Sequence, residues 1–187
     1  MIDLCKAEAI AKSMALNDAV KKYKSIMEVA RKIDVSTDQY FKKDFCNFYQ
    51  LKRFYSERFR SEYLGIMQEL KNDRDLSFKK TFERVRQIEN TCEMSFSSKM
   101  LHTLDPSYPI WDSIVTEKHF GMKKPNTKKN IVEKFSERYE EYVDMFYKYM
   151  KTEEGKSLIS VFDKSFPNSG ITDVKKIDFI LWQDRGN

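Results

Sequence analysis

Lys99 and Asp112 are the two residues of this chain whose types and spacing could carry out covalent chemistry. They lie in SSKMLHTLDPSYPIWDSIVTEKHFG, residues 97–121. Lys99 is placed to open a short apolar helix. Asp105-Pro106-Ser107-Tyr108-Pro109 then reverses the chain, because proline has no N–H and pushes the residue before it out of the helical region. Asp112 stands where the next helix begins. Two helix N-termini aimed into one cleft would set an amine beside partial positive charge and lower its pKa toward that of a nucleophile. A carboxylate at the second terminus would be held ionised, ready to stabilise a developing cation. The same two residues also fit a purely structural role, with Asp112 as an N-cap and Lys99 as a solvated charge. Spacing alone leaves both readings open.

Other residues could complete such a site. His102 follows Lys99 by one helical turn and could carry a proton. Trp111 and Tyr108 are near enough in sequence to stack on an extruded base. Lys118, Lys123, Lys124, Lys128 and Lys129 form a basic stretch that would neutralise phosphates, or simply solubilise a loop. Lys52, Arg53, Arg58 and Arg60 alternate with Tyr49, Phe54, Tyr55 and Phe59. That pattern suits single-stranded nucleic acid or a solvated helix face diluted by Glu57 and Glu62.

The run Pro109-Ile110-Trp111-Asp112-Ser113-Ile114-Val115, closed by Phe120-Gly121, resembles the helix-hairpin-helix DNA glycosylase superfamily. There the pattern is roughly P-x-D-T-H-V before a helix ending in glycine. The resemblance covers roughly residues 80–125 and puts the family's catalytic aspartate on Asp112. It puts the lysine of the lyase-competent branch on Lys99. It implies an all-α, single-domain multi-helix bundle with a glycosylase-like core. The implied function is DNA binding and cleavage of an N-glycosidic bond in DNA repair, with Trp111, His102 and Tyr108 lining the base site. No metal and no cofactor is implied. Glu93-Met94-Ser95-Phe96-Ser97-Ser98 occupies the position of the family's glycine hairpin and contains no glycine, so that route to a DNA phosphate is missing. The pattern S-S-K-x-L-H, P-I-W-D-S and I-D-F-I-L-W-Q is also similar to that of a group of small bacterial proteins, a divergent branch. The alternative is therefore a catalytically inactive helical module binding a protein or RNA partner.

The elements that must position these residues read as helices throughout. Leu16, Val20, Tyr23, Ile26, Met27 and Ala30 make one apolar stripe within a helical region from Leu4 to Ile33, expected to break near Asn17-Asp18. Residues 1–35 read either as part of the body or as an N-terminal extension. Ser36-Thr37-Asp38 caps a second helix, a third runs from near Tyr55 to before Asn72, and Ser77 caps a fourth toward Cys92. Asp112 or Ser113 caps the helix that Gly121 ends. A long helix from about Lys128 to Met150 follows, and Thr172 caps the last one through Trp182. The expected total is about eight or nine helices. Only five Gly and four Pro punctuate 187 residues, which favours long helices over many strands.

Composition narrows the classes further. A net charge of +5 permits a nucleic-acid partner without demanding one. The three cysteines, Cys5, Cys46 and Cys92, are widely spaced and form no metal or redox motif. No apolar run is long enough to span a bilayer. No Ser-His-Asp order and no phosphate-binding glycine loop is present. A cytoplasmic protein without a membrane partner is expected, with its oligomeric state unspecified.

Overall fold

Capping side chains set most of the boundaries. Ser13, Asp38, Ser56, Ser77, Asp112, Thr152 and Thr172 each accept a hydrogen bond from a backbone N–H in the first turn of the helix that follows. The computed structural model describes residues 2–184, which contain eleven α-helices and no strand. They are α1 (Leu4–Ala11), α2 (Met14–Lys32), α3 (Gln39–Phe48), α4 (Leu51–Phe54), α5 (Glu57–Leu70) and α6 (Phe78–Glu89), followed by α7 (Met94–Leu104), α8 (Ser113–Phe120), α9 (Ile131–Met150), α10 (Glu153–Ser165) and α11 (Asp173–Gln183).

Three sequence expectations are corrected. The first helical region breaks at Lys12-Ser13, where Ser13 caps α2, and not at Asn17-Asp18. Asn17 and Asp18 lie exposed on α2, where a polar pair does not interrupt the backbone. The described residues form eleven helices rather than eight or nine, partly because α4 has four residues, too few to leave a periodic signal. And α7 begins at Met94, so Lys99 sits in its second turn rather than at its start.

Buried side chains form two apolar cores. The first collects Leu16, Phe82, Trp111, Tyr139, Phe146, Phe162 and Ile177 among others. The second collects Phe41, Phe45, Leu51, Phe59, Tyr63, Met67 and Met100. Three helices serve both. α2 gives Val20 and Tyr23 to the first and Ile26 and Ala30 to the second. α6 divides Phe78 and Phe82 from Val85, and α7 divides Met94 and Leu101 from Phe96 and Met100. α1 packs on α10 and α11 and buries Ala7 and Ala11 in the first core. α9 and α10 meet so closely that a Cβ on Gly155 would lie 2.2 Å from the Tyr149 carbonyl oxygen, which only glycine avoids. Among the described residues no helix is long and apolar enough to cross a membrane.

Candidate active site

The turn between α7 and α8 is built from the outside in. Two prolines leave it short of backbone donors, and its carbonyls point into protein rather than along a helix. Five consecutive carbonyls are each met by a side chain. Thr172 donates to Pro106 O at 3.0 Å, Tyr147 to Ser107 O at 2.8 Å, and His102 Nδ1 to Tyr108 O at 2.6 Å. Tyr139 donates to Pro109 O at 2.7 Å and Tyr142 to Ile110 O at 3.1 Å. Ser98 on α7 closes the arrangement by accepting from Trp111 N at 2.9 Å. The chain is thereby tied to α7 one residue before Asp112.

Asp112 then caps α8, its Oδ1 accepting from Ile114 N at 3.0 Å. Its carbonyl accepts from both the N–H and the hydroxyl of Thr116, at 2.8 and 3.0 Å. Gly121, at φ +63°, ends α8 in the left-handed conformation that glycine adopts without a Cβ penalty.

Lys99 and Asp112 line the same cleft, of about 1200 Å³, which residues of both cores bound. The walls come from α2, the α3–α4 segment, α7, the start of α8, and α11. The Lys99 Nζ lies 4.5 Å from the Phe96 ring centroid and 5.9 Å from that of Tyr49. Burial holds the Lys99 amine below the usual lysine range. The Asp112 charge opposes that shift and the Lys175 charge adds to it. The depression thus arises from desolvation in the second turn of α7, and not from a helix N-terminus.

α11 supplies what the sequence reading missed. Lys175 and Asp178 also line the cleft, their side chains 5 % and 6 % exposed, with Nζ donating to Oδ2 at 2.6 Å. Lys175 Nζ lies 4.5 Å from the Phe179 centroid and 5.1 Å from that of Tyr23. Burial pushes the Asp178 carboxyl above its usual range against the pull of Lys175. The sequence signal was available: two charges at i and i+3 amid Val174, Ile177, Phe179, Ile180 and Leu181, on the side of the helix away from the exposed Asp173.

The remaining expected site residues lie elsewhere. His102 is 0 % exposed, its Nε2 accepting from the Tyr23 hydroxyl at 2.9 Å, and it does not line the cleft. Trp111 is buried in the first core with its ring edge-on to Tyr142, and it does not line the cleft. Tyr108 is half-buried against the same core and offers its carbonyl to His102. Lys118 is spent on Asp184, donating to its carbonyl at 2.6 Å and pairing with its carboxylate at 2.9 Å. Lys123, Lys124, Lys128 and Lys129 are exposed in the segment between α8 and α9, outside the cleft lining. The charges that do line the cleft are three lysines and five carboxylates. Among the described residues no group of three or more His, Cys, Asp or Glu is placed to hold a metal ion. The chain matches no family model, and comparison with curated proteins and with solved structures gives no match.

Proposed function

We propose that the chain is a divergent helix-hairpin-helix glycosylase-like protein that binds DNA and excises a base by cleaving its N-glycosidic bond. The observation that carries this reading is the placement of Lys99 and Asp112 in one cleft, with burial lowering the pKa of the amine. The neutral amine attacks C1′ of the target nucleotide. The C1′–N bond breaks, its electron pair leaves with the base, and the base takes a proton from water. The Asp112 carboxylate stabilises the positive charge that builds on the sugar. After the nitrogen loses a proton, the C1′–O4′ bond opens to an imine with O4′ taking a proton, and water hydrolyses the imine to regenerate the amine. Asp112 suits its part because Oδ1 is fixed by Ile114 N while Oδ2 has no hydrogen-bond partner among the described residues.

Borohydride reduction tests this on duplex and single-stranded DNA carrying an abasic site or damaged bases. A covalent protein–DNA adduct is expected, absent in Lys99→Gln. Asp112→Asn should slow excision by about 10²-fold or more. No adduct on any substrate overturns the chemistry.

The charge of the cleft favours a second reading. Five carboxylates against three lysines is not a phosphate-binding groove, and the lysine-rich segment after α8 does not line it. On this reading the chain is a catalytically inactive module that binds a protein or RNA partner through the helical surface.

A further inference from the structure

α4 gives the cleft an aromatic rim exposed to solvent at Phe54. Leu51 is fully buried in the second core and anchors the short helix, while Gln50 before it takes a left-handed backbone at φ +60°. Phe54 at its end is 61 % exposed and lines the cleft. A large apolar side chain left in water forgoes the stabilisation that burial would bring, so it is a candidate contact surface. The Arg53 guanidinium lies 5.4 Å from the Phe54 ring centroid. Inward, the Phe54 and Phe96 centroids are 6.5 Å apart, and the Lys99 Nζ lies 4.5 Å from the Phe96 centroid. An aromatic path therefore leads from solvent to the amine.

The charges around α4 are selective. Arg58 is paired with Glu62, and Lys42 and Arg60 share Glu57. Lys52 and Arg53 have no ion-pair partner among the described residues, and both are exposed. Two cations without an ion-pair partner beside an exposed ring match a nucleic-acid strand, with phosphates for the cations and a base face for the ring. A base stacked between its neighbours in a duplex offers no free face. Duplex DNA also brings one charge per roughly 1.7 Å toward a lining dominated by carboxylates.

Building on the nucleic-acid reading above, we propose that Phe54, Lys52 and Arg53 form a stacking platform at the mouth of the cleft, and that the cleft takes its substrate from single-stranded rather than duplex DNA. The test is fluorescence anisotropy with one labelled oligonucleotide, single-stranded or annealed to its complement, over a range of salt. The intact protein should bind the single strand about ten-fold or more tightly than the duplex, the scale of one base stacked on an aromatic ring. Phe54→Ala, a change at an exposed position, should remove that preference. The double variant Lys52→Ala/Arg53→Ala should lower the log–log salt slope by about 1.4, two phosphate contacts at roughly 0.7 each. Duplex bound as tightly as single strand, or Phe54→Ala binding the single strand unchanged, overturns the platform. Borohydride reduction with free 2-deoxyribose 5-phosphate, read as a mass increase on Lys99, separates this from the chemistry. A sugar adduct without strand preference overturns the platform and spares the amine; strand preference without any adduct keeps the platform and removes the amine's role.

Discussion

At the scale of single residues, His102 shows how a reactive-looking side chain becomes structural. A carbonyl oxygen only accepts, so the bond to Tyr108 O places the ring proton on Nδ1, and Nε2 is left to accept from the Tyr23 hydroxyl. Protonating Nε2 would require the Tyr23 hydroxyl to turn and accept instead of donate. Burial, with the Lys175 charge acting the same way, pushes its pKa down to about 3. The folded-state pKa lies below the unfolded value, so on acidification the unfolded chain takes up the proton first. Stability is complete above the ordinary histidine pKa and is lost as pH falls toward 3. From pH 7 to pH 5 the protein should lose about 2 kcal/mol of unfolding free energy from this group. Denaturant titrations at the two pH values measure it, and the loss should shrink in His102→Gln. A residual slope is expected there, since burial also lowers the pKa of His119. An unchanged slope in the variant would remove His102 from the account.

At the scale of elements, the turn from Asp105 to Asp112 decides whether Lys99 and Asp112 share a cleft. Tyr139 and Tyr142, both fully buried on α9, hold the Pro109 and Ile110 carbonyls. Removing either hydroxyl leaves a buried carbonyl without its donor, at a cost of about 1–3 kcal/mol. Tyr139→Phe and Tyr142→Phe should each destabilise the protein by that amount in chemical denaturation, with little change in helix content. A loss below about 0.5 kcal/mol would mean that water or a shifted backbone replaces the bond. The elements themselves were legible in the sequence. Asp38 of the Ser36-Thr37-Asp38 signal, Ser77, Asp112 of the pair Asp112 or Ser113, and Thr172 cap the helices expected to follow them, and Gly121 ends α8. Capping is local chemistry within three residues of the chain, so one sequence states it. Four of the five donors to the turn were not legible, because they come from 30 to 66 residues away and depend on packing. Ser97 and Ser98 look like N-caps but lie inside α7, donating to the Glu93 and Ser95 carbonyls. The buried Met94 draws the helix start upstream of them.

At the scale of the whole molecule, the cleft lies along the seam of two cores, and its geometry is only as fixed as that seam. α2, α6 and α7 each bury residues in both cores, and Phe48 and Leu76 pack against both. Lys99 rides on α7, one of the shared helices, and Lys175 and Asp178 ride on α11, which belongs to the first core. Opening one core would strip α7 of half its packing and so weaken the other. The two should therefore unfold together. Native-state hydrogen exchange tests this: the slowest amides of α5, packed in the second core, and of α9, packed in the first, should converge on one opening free energy. Met100→Ala, which empties a fully buried position in the second core, should cost about 2–5 kcal/mol and lower protection in α9 by the same amount as in α5. Two separate plateaus, with α9 indifferent to Met100→Ala, would make the cores independent units. The distance between the α7 amine and the α11 charge pair would then vary with their relative motion rather than being set by the fold.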